Sequence, residues 1–279
     1  MANPTHAFYG HHKCATMTFN TLCGAVCRRL GLRFRAVDNE EQFDRDLKGF
    51  TARERVDFLA YGNADIEFVR DLPGHRGIHI VRDPRDIVVS AYYSHLYSHP
   101  TAAWPELEAH RARLQELPQH EGLIEEMQFR RRSFGHMQSW DYSQAGILEI
   151  RFEDFASRSY DTILDAFTHL GLVDDGDYHF GKRLASILRE VRAAWRLPAI
   201  GGSGTRRLPA SELLVLAWRN RFEARSRGRS QGKEDVGNHY RKGKVGDWAE
   251  HFTPEHKSVF KELYPGLVPE LGYADSDGW

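Results

Sequence analysis

"GHHKCATMTF" (residues 10–19) follows a short apolar stretch, "AFY" (7–9), and leads into "NTLCGAVCRRL" (20–30), whose apolar residues recur at helical spacing. A strand that turns into a helix through small, basic residues is a place to hold an anion. The first N–H groups of a helix have no partners inside it, and they carry the positive end of its dipole. If the strand ends near Gly10, the helix begins near Thr16, and the N–H groups of residues 14 to 18 face the entry. Lys13 adds a full charge, Cys14 and Ala15 are small enough to let an anion approach the backbone, and Thr16 and Thr18 add hydroxyls. The pattern GxxxxGK[ST] of triphosphate loops is absent. Taken alone, a lysine before a helix is an ordinary solvated side chain.

The rest of the chain repeats this alternation. Strand-like stretches are "HAFYG" (6–10), "LRFRAV" (32–37), "DIEFVRDL" (65–72), "GIHIVRD" (77–83) and "ILEIRF" (147–152). Helices are expected over 16–30, over 84–98 with Asp83 as N-cap and Pro84 at the first helical position, and over 104–117 and 120–140. Asp154 can cap a helix carrying Ile163, Leu164, Phe167 and Leu170. Leu184, Leu188, Val191 and Trp195 repeat at helical spacing, and "SELLVLAWRNRF" (211–222) opens on a serine suited to capping. Strands separated by helices predict a three-layer α/β fold, a central parallel sheet flanked by helices, with a P-loop-like anion-binding turn. Two glycine-rich stretches, 200–207 and the basic 225–247, have apolar helical sequence on both sides, so a single domain over 1–279 is expected. Ligands of parallel sheets bind at the carboxyl ends of strands, which points at residues 10–17, 71–75, 82–90 and 152–154.

Composition excludes several classes. The 279 residues carry 38 basic and 39 acidic side chains, a formal net charge of -1, so no basic excess marks a nucleic-acid partner. No apolar run approaches a membrane span. The three cysteines, Cys14, Cys23 and Cys27, form no disulfide framework and read as small buried hydrophobes. With no signal peptide expected, the reading is a cytoplasmic protein.

Two further segments carry clustered charge. In "VRDPRDIVVSAYYSH" (81–95), Arg82 closes a strand and Ser90 lies in the helix that follows, and arginine suits bidentate contact with phosphate or sulfate oxygens. The plainer reading is a solvated, salt-bridged helix start built from Asp83, Arg85 and Asp86. In "YRKGKVGDW" (240–248), Arg241, Lys242 and Lys244 surround two glycines, which suits wrapping a phosphate. The plainer reading there is a charged surface loop.

Together the three segments resemble the cytosolic-type sulfotransferases that use 3′-phosphoadenosine 5′-phosphosulfate (PAPS), in a bacterial-like form. "HKCATMT" (12–18) is similar to that family's PKSGTTW-like turn, "RDPRDIVVS" (82–90) to its RxxxDxxxS segment, "RKGKVGDW" (241–248) to its RKGxxGDW segment, and "RFEDF" (151–155) to its YED segment. The tail 251–273 is similar to the family's last helix, so the resemblance spans nearly the whole chain. It implies an enzyme that moves a sulfuryl group from PAPS to a hydroxyl or amine of a small-molecule or saccharide acceptor, releasing 3′-phosphoadenosine 5′-phosphate (PAP), with no metal. It implies that the turn, His12, Lys13, Cys14, Ala15, Thr16, Met17 and Thr18, holds the 5′-phosphosulfate, with Lys13 on the bridge. Arg82 and Ser90 would hold the 3′-phosphate, Arg241, Lys242 and Gly243 would close over it, and Phe152 would lie near the adenine. His12 stands in place of proline, Ala15 in place of glycine (tolerable only with negative φ), and Met17 in place of a threonine. For the catalytic base, Asp71 aligns with the family's histidine when the "LP" pairs are matched; His75 and His95 are the alternatives. Segment 97–140, with Tyr97, Trp104, Phe129, Phe134 and Trp140, is expected to shape the acceptor pocket, and "FRRRSF" (129–134) would suit an acidic or saccharide acceptor. The rival readings are a kinase-like phosphotransferase and a non-catalytic nucleotide binder.

Overall fold

The computed structural model describes residues 6–102, 104–174 and 207–279. The helical repeat at 184–195 and residues 200–206 lie outside the described residues. β1 (His6–Tyr9) leads to α1 (Thr16–Leu30), then β2 (Phe34–Val37), α2 (Leu47–Arg53), β3 (Phe58–Tyr61), α3 (Ile66–Val69) and β4 (Arg76–Val81). The sheet is completed by β5 (Ile147–Arg151) in the order β2-β3-β1-β4-β5. β1 runs parallel to β3 and to β4, with Phe8 opposite both Ala60 and Ile78, and β2 runs parallel to β3. The inner strands are buried along their length, as in sheets covered on both faces: Ala7, Phe8 and Tyr9, then Phe58 to Tyr61, then Ile78, His79 and Ile80. The fold is the expected α/β architecture, a central parallel sheet flanked by helices.

The sequence reading needs one correction with consequences. A strand was expected at 65–72, but the strand is β3, at 58–61. The Asp65 side chain accepts from the Glu67 N–H, and this starts the short helix α3 with Ile66 and Val69 on its buried side. Gly62 and Asn63 therefore follow a strand's carboxyl end, while residues 71–75 precede the amino end of β4. Three smaller differences are local. The helix expected over 120–140 is two, α6 (Gln119–Phe129) and α7 (Arg131–Ser139), broken at Arg130. The segment after β5 folds at once into α8 (Phe152–Ser157), followed by α9 (Ser159–His169), so Asp154 lies inside a helix instead of capping one. α10 (Ala210–Arg219) starts without a side-chain cap from Ser211.

The described residues gather into two compact units. The first contains residues up to His11, Ala15–Ile80 and Asp141–Asn220; the second contains His12–Cys14, Val81–Trp140 and Arg221–Trp279. In the first, α1 packs on β1, β2 and β3, and α10 packs on α1 and α9. In the second, α4 (Pro84–Tyr93) packs on α6, and α6 packs on α5 (Pro105–Glu116), α7 and α11 (Pro254–Leu263).

Within the second unit two of the sequence motifs are fastened to each other. The Asp86 carboxylate, 1% exposed, accepts from the backbone N–H of Gly246 at 2.8 Å and of Trp248 at 2.9 Å. Arg85 forks onto Asp83 at 2.7 and 2.9 Å, donates to the Tyr273 carbonyl, and lies 4.0 Å from the Trp248 ring centre and 4.7 Å from that of Trp279. The start of α4 is thus a buried clamp, not a solvated salt-bridged turn. Two backbone donors facing a buried carboxylate are costly to strand, so Asp86→Ala is expected to lower stability by about 2–4 kcal/mol; urea unfolding against the wild-type chain checks it, and a loss near zero would show that the clamp is dispensable.

Candidate functional site

The opening turn is strained where the sequence reading required it to be relaxed. Ala15 has φ +57° and Lys13 φ +71°, both left-handed. The expectation of a negative φ at Ala15 is therefore corrected: the turn takes the glycine conformation without glycine, at about 1 kcal/mol per residue. Ala15 is the N-cap of α1 and supplies no side-chain acceptor, so the first turn of α1 has none. The Thr16 hydroxyl donates to the His11 carbonyl at 2.8 Å and ties the turn to the end of β1. Met17 is 58% exposed, whereas Cys14 is buried and Thr18 nearly so.

Around Lys13 the second unit gathers positive charge. Arg82, 8% exposed, donates to the Lys13 carbonyl at 3.1 Å and lies 3.8 Å from Asp86. Burial, then the charges of Arg82, Arg130 and Arg241, push the Lys13 ammonium down to about 7, against a weaker opposing pull from Glu126. Arg241 lies 4.5 Å from the Tyr93 ring centre and is paired with Glu234 and Asp247. Lys242 is paired with Asp247 and Glu250, and Lys244 with Glu250. Gly243, at φ +64°, leaves no room for a side chain, because a Cβ would meet the Phe222 ring at 2.8 Å. Ser90 is half-buried on α4.

Behind Lys13 lies a histidine cluster that the sequence pattern does not show as a unit. His95 sits in a π-helical turn, Ser94–Ser98, a distortion often found at functional sites. Its Nδ1 is 2.9 Å from Glu126 Oε2, and His110 Nε2 is 2.8 Å from the same oxygen. Arg130 forms an ion pair with the other Glu126 oxygen at 2.9 Å and donates to His12 Nδ1 at 2.7 Å. The His12 and His95 rings stack at 5.2 Å, with His99 and Trp104 edge-on to both. Burial, partly offset by Glu126, lowers His95 to about 3, and burial with the nearby cations holds His12 well below its ordinary value. Both rings are neutral at pH 7. The same partners hold the Glu126 carboxyl below the usual carboxylate range, overcoming its burial. The ligand atoms of His95, His110 and Glu126 lie within 4.8 Å of one another, a set a divalent cation can take. Hydrogen bonds and the Arg130 ion pair already account for their arrangement.

The remaining base candidates are placed elsewhere. Asp71 is exposed, and His75 is held by the Tyr9 hydroxyl at 2.6 Å and the Pro73 carbonyl at 2.8 Å. Both precede the amino end of β4, about 20 Å along the six-residue strand from the carboxyl end where ligands of such sheets bind. The expectation that 71–75 follows a strand is therefore corrected. Phe152 begins α8 in the first unit. Of the expected acceptor-pocket aromatics, Trp104 and Phe129 face the histidine cluster, while Phe134 packs on Phe260 and Tyr264 and Trp140 is buried. Arg130 spends its charge on Glu126 and His12, whereas Arg131 and Arg132 are exposed. Sequence reasoning missed Glu126 and the pairing of Arg130 with it; the helical spacing of the two (i, i+4) was the signal available.

No family model matches the chain, and no curated protein matches it. Solved structures do. A mouse sulfotransferase, SULT7A1, complexed with PAP superposes with a TM-score of 0.52 at 16% identity, covering 95% of this chain and 84% of that one. A retinol dehydratase in complex with androsterone and the inactive cofactor PAP gives 0.50 at 15% identity, covering 96% and 82%. The chain has the sulfotransferase fold. Among the described residues no helix is long and apolar enough to cross a membrane.

Left-handed alanine is the local departure easiest to test. Ala15→Gly is expected to raise stability, by up to about 1 kcal/mol, read by thermal or urea unfolding; a destabilised variant would show that Ala15 is not strained.

Proposed function

We propose that this chain is a PAPS-dependent sulfotransferase, a single cytoplasmic domain that transfers a sulfuryl group in line to a small-molecule or saccharide acceptor. The observation that carries the reading is the gathering of Arg82, Arg130 and Arg241 around Lys13, whose ammonium is lowered first by burial and then by these charges. Such a concentration of cations suits a multiply charged anion, and it stands on the turn and the two motifs that resemble the family's cofactor-binding segments. In this reading residues 12–18 take the 5′-phosphosulfate. Arg82, Ser90, Arg241, Lys242 and Gly243 take the 3′-phosphate, and Phe152 offers a ring to the adenine. The solved neighbours with PAP support the donor class, because they share the fold and were crystallised with that nucleotide.

The chemistry follows from the charges. Acceptor oxygen attacks sulfur, and the bond from sulfur to the bridging oxygen breaks. Negative charge grows on that oxygen and on the 5′-phosphate. A lysine placed there stabilises the transition state more than the ground state. As in phosphoryl transfer, positioning and electrostatics supply most of the rate. The 3′-phosphate is remote from sulfur, so its contacts supply affinity and discrimination. A phosphotransferase reading would need a triphosphate loop, and the turn has none.

Arg82→Ala and Arg241→Ala are expected to weaken PAP binding about 10²-fold, and adenosine 5′-phosphate binding no more than a few-fold. Calorimetric titration of both nucleotides measures this, and equal losses for the two would refute the 3′-phosphate assignment.

Lys13 predicts a proton linkage. With its ammonium at about 7 in the empty protein, most molecules lack this proton at pH 8. An anion beside it restores the charge, so PAP binding takes up as much as about one proton at pH 8, and affinity falls as pH rises above 7. Titrations in two buffers of different ionisation heat should show the uptake and its loss in Lys13→Ala. The same variant should lose more turnover than PAP affinity; unchanged turnover would remove Lys13 from transition-state stabilisation.

A further inference from the structure

A cavity of about 430 Å³ opens in the second unit, in the basic segment 225–247. Small-molecule sites run from about 300 to 1,000 Å³, so it is large enough for a ligand. Among the described residues the side chains that line it are all polar: Arg225, Arg227, Asp235, Asn238, His239 and Tyr240. The loop around it is pinned by Arg229. That guanidinium donates to the carbonyls of Lys233 and Arg241 at 2.7 Å and of Tyr240 at 2.6 Å. The N–H groups of Gly232 and Asp235 donate in turn to the carbonyls of Lys242 and Arg241. The cavity is thus built into the segment that carries Arg241 and Lys242.

Its wall carries positive charge that the wall itself does not compensate. Asp235 is the one carboxylate lining it among the described residues, and that carboxylate is spent. One oxygen lies 3.6 Å from Arg229, and the other accepts from the Gly237 N–H at 3.2 Å. Arg227 is exposed and has no ion pair among the described residues. The side-chain oxygen of Asn238 accepts from the Tyr240 N–H at 2.9 Å, which leaves the Asn238 amide NH₂ to donate. Neither ring nitrogen of His239 is hydrogen-bonded among the described residues. Burial, with the charges of Lys13 and His99, lowers His239 to about 3, so at pH 7 the ring offers one donor and one acceptor. Ring contacts lead from there to the transfer centre: His239 lies 6.4 Å from His99, and His99 lies 5.2 Å from His12, the neighbour of Lys13.

Each class of ligand meets this wall differently. An ammonium would lie against Arg225 and Arg227, within reach of the Lys13 charge. An apolar phenol or alcohol would strip water from these polar side chains and pair with few of them. A neutral sugar would answer Asn238 and His239 and leave Arg227 to water. A sugar acid answers all three, because its carboxylate pairs with the guanidinium while its hydroxyls both donate and accept. We propose that this cavity is the acceptor site and that the acceptor is an acidic saccharide, its carboxylate on Arg227 and a hydroxyl directed past His239 towards Lys13. This rests on the sulfotransferase reading and narrows its acceptor. Transfer replaces the hydrogen of that hydroxyl with the sulfuryl group and releases PAP and one proton.

Two probes that differ in one carboxylate test this on the intact chain: 4-nitrophenyl β-D-glucuronide and 4-nitrophenyl β-D-glucoside. Titrated into PAP-saturated protein, the glucuronide should bind about 10-fold or more tightly than the glucoside. With ³⁵S-labelled PAPS its kcat/KM should be larger by about the same factor. Arg227→Ala should keep PAP affinity within about twofold of wild type and bring the two glycosides to within about threefold of each other, through KM. Arg227→Lys, which keeps the charge and loses the fork, should recover part of the preference. Equal or reversed preference in the wild-type chain, binding of neither glycoside, or a preference that survives Arg227→Ala overturns the proposal. A PAP affinity about 10-fold weaker in Arg227→Ala gives the cavity to the nucleotide and overturns it too. A wild-type chain that binds no PAP instead overturns the sulfotransferase reading itself, whatever the glycosides do.

Discussion

One buried carboxylate ties together the charged centre of the second unit. Glu126, fully shut off from solvent, receives His95, His110 and Arg130. Without its charge Arg130 would be a buried guanidinium facing Lys13, and removing one partner of such a pair costs about 3–5 kcal/mol. With it, the chain holds Arg130 where it fixes the His12 ring, and His12 is the residue beside Lys13. The order of dependence runs from Glu126 through Arg130 and His12 to the turn. In the same way Asp86 holds the segment that carries Arg241 and Lys242, through the N–H groups of Gly246 and Trp248. Acidic residues that look like counterions in the sequence are the scaffold on which the cations are arranged.

Charge balance explains why so basic a site sits in a chain of net charge -1. Arg241, Lys242 and Lys244 each have a carboxylate partner within their own loop. Among the described residues Lys13 has no carboxylate that close. The charges that act on it most strongly, after burial, are mostly of its own sign, and the pull of Glu126 is outweighed. An incoming anion therefore meets, at Lys13, a cation whose strongest neighbours are other cations, three residues before α1. The left-handed φ angles of Lys13 and Ala15 show that the backbone, too, is held away from its resting conformation at this point.

Much of this was legible in the sequence, for a physical reason. The parallel sheet, the strand-turn-helix at residues 6–30 and the charged segments at 82–90 and 241–248 are local patterns, and local patterns are read from spacing. What was not legible depends on pairing across the chain. Glu126 meets His95 across 31 positions, and Arg130 meets His12 across 118. No periodicity marks either pair. The strand at 58–61 is only four residues long, and missing it moved the search for a base to Asp71 and His75, at the wrong end of β4. The roles of Asp86 and Arg85 were hidden because a buried clamp and a solvated helix start are written with the same letters.

The central claim is that the cations around Lys13 and along the two later motifs recognise a 3′-phosphorylated adenine nucleotide. Its most direct test is a calorimetric titration of the whole chain with PAP and, separately, with ATP and magnesium. The account predicts saturable one-site binding of PAP, at least about 10²-fold tighter than ATP–magnesium. Equal affinity for the two, or tighter binding of ATP–magnesium, would contradict it.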